Sequence, residues 1–170
     1  MKISVKKKTG VVGALVAAAC MTVMAAQTPA AAAAPRAQGS AGGITNWQTG
    51  YCLDGDAGGA VYTRGNSNGC GANNPYQRWQ SHDGPKGMML QSSKTGLCLT
   101  GGGSGSDRVL AKPCDSEDSR QWWEQKYLMQ DVYALINYQN RRALDSNMQG
   151  NAYTSVFSDS NSYMKWYMPS

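Results

Sequence analysis

The chain repeats itself. An apolar step closing on Asp or Thr, a turn rich in Gly and Asn, and a closing x-x-Trp occur three times. They run Tyr51-Cys52-Leu53-Asp54 to Gln77-Arg78-Trp79, Leu97-Cys98-Leu99-Thr100 to Gln121-Trp122-Trp123, and Arg142-Ala143-Leu144-Asp145 to Met164-Lys165-Trp166. The period is about 45 residues, within the range of repeat architectures. A unit of that length buries too little apolar surface to stand alone, so three of them must close on one another.

The 170-residue sequence opens on a different composition. Lys2, Lys6, Lys7 and Lys8 precede the small, apolar run Val11 to Ala26. That pattern predicts an export signal over residues 1–26, and the run is short for a bilayer span, so no stable membrane span is expected. Residues 27–43, rich in Ala, Gly, Ser and Pro, read as a flexible tether. The domain is expected at 44–170, with repeats at about 44–84, 85–130 and 131–170.

Charge changes once the leader is set aside. The formal net charge of +5 comes from sixteen Lys and Arg against eleven Asp and Glu. Five of those cations are Lys2, Lys6, Lys7, Lys8 and Arg36, so the rest of the chain is balanced. A neutral domain without a basic stripe is a poor fit to a phosphate backbone, and no nucleic-acid partner is expected.

Four cysteines remain beyond the leader: Cys52, Cys70, Cys98 and Cys114. An even number in an exported chain favours disulfides. Three pairings are open; the repeat suggests Cys52 with Cys70 and Cys98 with Cys114, each closing the same hairpin. The third copy has Ala143 at the first position and Val156-Phe157 near the second, where packing is expected to replace the bridge.

No long segment has a helical period. Short β-branched or aromatic runs, Ala60 to Thr63, Arg108 to Ala111 and Ala152 to Val156, alternate with Gly, Asn, Asp and Ser clusters. The expectation is an all-β domain of about twelve short strands, a closed barrel with threefold pseudo-symmetry. Trp79, Trp123 and Trp166 are then core residues, one per unit.

The Cys-Leu-Asp opening, one internal disulfide per unit and the Gln-x-Trp close, repeated three times, resemble the ricin B-type lectins. These are β-trefoil carbohydrate-binding modules of secreted proteins, and the resemblance spans the chain beyond the tether. It implies a shallow sugar pocket per unit: an Asp accepting sugar hydroxyls, an aromatic side chain on the next strand, and a polar residue before Gln-x-Trp. Carried over, repeat 1 supplies Asp54, Tyr62, Arg64, Tyr76 and Gln77, and repeat 3 supplies Asp145, Tyr153, Ser155 and Tyr163. Repeat 2 has Thr100, Leu110, Lys112 and Arg120 in these places, a lapsed pocket. Arg64 and Ser155 stand where the family stacks an aromatic ring, so the tyrosines must take over that role. A carboxylate accepts two hydroxyls in charge-assisted bonds, and a tyrosine ring offers an apolar face to the C–H side of a pyranose.

Chemistry is not expected. His82 is the single histidine, in a turn, with no second base or free thiol to build a nucleophile pair. The carboxylates Asp54 and Asp56, and Asp115, Glu117 and Asp118, are turn neighbours, which neither glycoside hydrolysis nor an EF-hand can use. Gly101-Gly102-Gly103 precedes no helix and reads as a flexible turn. The sequence therefore points to a secreted, non-catalytic glycan-binding protein without cofactor or metal. A module that binds a separate protein partner, with vestigial sugar pockets, is the second reading.

Overall fold

The computed structural model describes residues 41–103 and 107–168. The expected leader and most of the expected tether lie outside them. Thirteen strand segments form one sheet: β1 Gly42–Gly43, β2 Thr45–Asn46, β3 Cys52–Gly55, β4 Val61–Arg64, β5 Arg78–Gly84, β6 Gly87–Ser92, β7 Cys98–Thr100, β8 Leu110–Lys112, β9 Trp123–Met129, β10 Val132–Asn137, β11 Ala143–Ser146, β12 Ala152–Ser155 and β13 Trp166–Tyr167. Every pairing is antiparallel. A single 3-10 turn precedes the closing strand of each copy: Pro75–Gln77, Ser119–Gln121 and Ser162–Met164.

The barrel runs β1-β5-β6-β9-β10-β13-β2. Because β1 and β2 are separated only by Ile44, the ring closes on itself and leaves no long free edge there. The hairpins β3–β4, β7–β8 and β11–β12 cap it. This is a β-trefoil, as expected. One boundary differs. Gly42–Gly43, read from composition as tether, is strand β1, paired with Trp79 and Arg78. A Cβ on Gly43 would stand 2.3 Å from the Cys70 Cβ, so the glycine marks a close approach of backbones.

The core is built in threes. Ile44, Leu90 and Leu135 form one set; Leu53, Leu99 and Leu144 the next; Val61, Val109 and Ala152 a third, and all are buried. Trp79, Trp123 and Trp166 are each fully buried. Their indole N–H groups donate to the carbonyls of Leu53, Leu99 and Leu144 at 2.9, 3.0 and 3.0 Å. A buried indole needs such a partner, and the three carbonyls sit on the opening strand of each copy.

Both suggested disulfides are formed, Cys52–Cys70 and Cys98–Cys114. Loops of that size contribute about 3 kcal/mol each on the chain-entropy model. In the third copy Ala143 and Met164 pack with Ala134 and Ile136, and Phe157 lies against them. Val156, expected to share that packing, is 73% exposed, because β12 ends at Ser155 and the alternation that buries Ala152 and Thr154 does not extend to it. His82 is likewise no turn residue: it lies on β5 opposite Met89, half-buried, with Nε2 3.0 Å from the Gln91 side-chain oxygen. Gly101 and Gly102 are buried, and a Cβ on Gly101 would meet the Asn137 amide at 2.7 Å, so this turn is packed, not loose.

The caps meet around the threefold axis through backbone atoms. Thr63 N–H donates to Gly150 O, Ala111 N–H to Gly59 O and Thr154 N–H to Asp107 O, at 2.7, 2.8 and 2.6 Å. Two acceptors are glycines at φ +83°, where a Cβ would approach Ala111 O at 2.5 Å (Gly59) and Thr63 O at 2.6 Å (Gly150). Gly59→Ala or Gly150→Ala therefore combines left-handed strain with a backbone clash. Each is expected to destabilise by more than about 2 kcal/mol in denaturant unfolding. Gly69→Ala, at φ +87° with open space around it, is the control and loses only the conformational part, about 1 kcal/mol.

Candidate carbohydrate site

In repeat 1, β3 ends by placing Asp54 opposite Tyr62 of β4, and Arg64 opposite Cys52. The 3-10 turn Pro75–Gln77 then comes back over the carboxylate. Asp54 is buried, and its Oδ2 accepts from Asn74 Nδ2 at 2.8 Å and from Gln77 Nε2 at 3.1 Å. Its other oxygen, Oδ1, is buried without a well-formed hydrogen bond. The Tyr62 phenol lies beside it, pushed above the ordinary phenol range by burial and then by the charges of Asp54 and Asp56. Tyr76, half-buried one residue before Gln77, has Lys94 Nζ 5.9 Å from its ring centre. Arg64 is exposed at the rim.

Repeat 3 solves the same problem with other donors. Met164 replaces Gln77 and cannot donate, and Ser155, at the place of Arg64, supplies the missing bond: its hydroxyl donates to Asp145 Oδ2 at 2.6 Å. Asn161 Nδ2 donates to the same oxygen at 3.1 Å, and Ser146 N–H donates to Oδ1 at 2.8 Å. Both carboxylate oxygens are thus occupied by the chain. Tyr153, opposite Asp145, donates its hydroxyl to Ser146 O at 3.0 Å, so this phenol is bonded within the chain. Burial, then the charge of Asp145, holds Tyr153 above the ordinary phenol range. Tyr163 is half-buried, and its carbonyl accepts from Asn46 Nδ2 at 2.7 Å, which pins the turn to β2.

In repeat 2 the carboxylate has changed place. Thr100 is buried and donates to Cys98 O at 3.0 Å. The acid is now Asp118, at the position of Asn74 and Asn161, and Arg120 holds both its oxygens at 2.8 and 2.6 Å. That hydrogen-bonded guanidinium pulls the Asp118 carboxyl below its usual range.

Of the residues carried over from the family, Asp54, Tyr62 and Gln77 meet in repeat 1 and Asp145, Tyr153, Ser155 and Tyr163 in repeat 3, whereas the Tyr76 ring lies beside Lys94. Asn74 and Asn161 were missed. Each caps its 3-10 turn by accepting from the N–H two residues on while donating to the carboxylate. The signal was present as Asn-x-Tyr, at 74–76 and 161–163, where repeat 2 has Asp-x-Arg.

With the barrel, the triple core and these clusters in place, the class is a β-trefoil lectin fold. The chain matches the ricin-type beta-trefoil lectin domain over residues 40–166 and belongs to that family. No curated protein matches it. Among solved structures it is similar to the Macrolepiota procera ricin B-like lectin in complex with lactose, at 15% identity and TM-score 0.64, covering 79% of this chain and 97% of that one. It is similar also to the designed threefold-symmetric protein ThreeFoil, at 18% identity and TM-score 0.65, covering 76% and 97%. A third is the Haemophilus ducreyi cytolethal distending toxin, at 14% identity and TM-score 0.61, covering 75% and 81%. At these identities the likeness is one of fold. Among the described residues no His, Cys, Asp and Glu cluster could hold a metal ion, and no helix is long and apolar enough to cross a membrane.

Two outcomes follow. Asn74→Ala and Asn161→Ala each remove a donor to a buried carboxylate together with a cap. Each is expected to cost about 1–3 kcal/mol in denaturant unfolding. For Asp118 the sign is that of a depressed carboxylate. Its contribution is complete above the unfolded-state pKa, near the ordinary 3.8, and is lost as pH falls through the lower folded value. Acid unfolding of Arg120→Ala should accordingly show a shallower loss of stability below pH 4 than the parent, since there is less left to lose.

Proposed function

We propose that the chain is a secreted, non-catalytic lectin that binds glycans through repeat 1 and, more weakly, through repeat 3. The observation that carries the reading is the half-satisfied carboxylate of Asp54. Asn74 and Gln77 fix one oxygen, while the other has only the loosely placed Tyr62 phenol beside it and no well-formed hydrogen bond. A sugar hydroxyl supplies that donor, and leaving it unmade costs the desolvation of a buried acceptor. Entry requires the Tyr62 phenol to swing aside, after which its ring becomes the stacking face in place of the family's aromatic residue. Arg64, Tyr76 and Gln77 complete this pocket. In repeat 3 the Asp145 oxygens already have three donors, so a hydroxyl gains less there, and Tyr153 and Tyr163 supply most of the contact. Membership of the lectin family and the lactose complex of the Macrolepiota lectin support a saccharide partner. Two disulfides and the leader-like residues 1–26 support export.

A second reading, docking to a protein partner, has one observation behind it. Tyr127 and Met129 on β9 and Tyr167 on β13 are exposed on the two strands that flank β10, with Tyr127 packed edge-on against Tyr133 of β10. The toxin with the same fold adds to it.

A glycan array probed with the oxidised chain separates the two. Binding near millimolar per site is expected, competed by free sugar, reduced at least about tenfold by Asp54→Asn and less by Asp145→Asn. Absence of any binding by the folded parent, or binding that Asp54→Asn leaves unchanged, refutes the pocket in repeat 1. Loss of a protein partner on Tyr127→Ser, with sugar without effect, would establish the other reading.

A further inference from the structure

The three copies treat their cations differently. In repeat 2 the Arg120 guanidinium is held by both oxygens of Asp118, and the charge of Lys112, at the end of β8, acts on the same carboxyl. In repeat 3 the place of Arg64 is taken by Ser155, whose hydroxyl belongs to Asp145. At these positions only repeat 1 leaves cations without an anionic partner.

Arg64 ends β4 and is exposed, and among the described residues its guanidinium makes no hydrogen bond or ion pair. Two residues apart on one strand, Tyr62 and Arg64 share a face, and across the hairpin they stand opposite Asp54 and Cys52. The second cation is Lys94, on the turn between β6 and β7. Its ammonium has no carboxylate partner and lies 5.9 Å from the ring centre of Tyr76. Pseudo-symmetry places this lysine at the mouth of the pocket. The turns at 92–96 and 137–141 are closed by equivalent bonds, Gly96 N–H to Ser92 O and Arg141 N–H to Asn137 O, so Gln139 is the counterpart of Lys94. Gln139 lines the concavity of repeat 2 together with Asp118 and Arg120, which stand where Asn74 and Tyr76 do.

Two carboxylates set the direction of a ligand. Asp54 and Asp56 lie at the end of β3, beside the start of β4, and their charges outweigh that of Arg64 at the Tyr62 phenol. An anion is repelled there and attracted about 7 Å further along β4, at Arg64. We propose that the pocket of repeat 1 selects a sugar that bears one carboxylate, with its hydroxyl end over Asp54 and its acid on the planar fork of Arg64. The fork matches two carboxylate oxygens at once, and Lys94 adds attraction from the other copy without a fixed geometry. A densely charged polyanion is a poorer occupant, because Asp54 and Asp56 oppose its inner charges. The inference rests on the reading of repeat 1 as a sugar site and adds the class of sugar to it.

The test is an NMR titration of the oxidised, isotopically labelled chain with three matched pairs: methyl galactosiduronate and methyl galactoside, methyl glucosiduronate and methyl glucoside, sialyllactose and lactose. In at least one pair the acid is expected to shift the Tyr62 and Arg64 resonances and to bind roughly three- to tenfold more tightly than its neutral partner. Salt at about 1 M, where the screening length falls to about 3 Å, should shrink that ratio. Arg64→Gln, checked for an unchanged fold by its spectrum, should bring the ratio close to one, and Lys94→Gln should lower it by less. Asp54→Asn should weaken acid and neutral sugar together. Neutral sugars that bind as tightly as the acids, or an acid preference that survives Arg64→Gln, overturn the inference and leave the sugar site of repeat 1 standing. No binding by any of the six probes at about 10 mM overturns both.

Discussion

A hydrogen bond from the indole of each closing tryptophan to the carbonyl of Leu53, Leu99 or Leu144 ties the end of a copy to its beginning. The bond is buried, so breaking it exposes no water to either partner and leaves two polar groups unsatisfied. Its position matters as much as its strength. Leu53 and Leu144 immediately precede Asp54 and Asp145, so the bond that closes the core also sets where each carboxylate begins. Fold and site are coupled through one residue step.

Given that placement, each copy has had to accommodate a polar group under a 3-10 turn, and the three solutions differ. Repeat 1 uses two amides on one oxygen and leaves the other wanting. Repeat 3, deprived of the glutamine, recruits a serine and a backbone N–H and ends fully satisfied. Repeat 2 moves the charge from strand to turn and neutralises it with Arg120. The turns themselves hardly change: Asn74, Asp118 and Asn161 each accept from the N–H two residues on. The scaffold thus tolerates different donor sets at one site, and those sets decide which copy has capacity left for a ligand.

Much of this was legible from the repeat. Core leucines, closing tryptophans and paired cysteines recur at fixed spacing, and a spacing survives translation into three dimensions because all three copies obey it. The register of Asp54 with Tyr62 and of Asp145 with Tyr153 also follows from an eight-residue separation across a hairpin. What escaped were features made between distant segments. Asn74 reaches back twenty residues and Asn161 sixteen, and only the Asn-x-Tyr shared by copies 1 and 3 sets them apart from ordinary turn formers. Gly42 and Gly43 looked like linker because composition cannot show that they pair with Trp79 and Arg78, or that Cys70 is pressed against Gly43. Val156 and His82 were misplaced because the points where β12 ends and β5 extends, not residue type, decide their surroundings.

The joint around the threefold axis is made by main-chain N–H and C=O groups, which every residue but proline possesses. Apart from the two glycines that let the chains approach, it places no demand on side chains. In mechanical terms the domain is a keystone arch whose blocks are locked by their shared shape, and the decoration on the keystone can be recut without loosening it. Arg108 can therefore stand where Ala60 and Asn151 stand in the other copies, and the side chains at the axis can be exchanged one residue at a time while the barrel beneath keeps its closure.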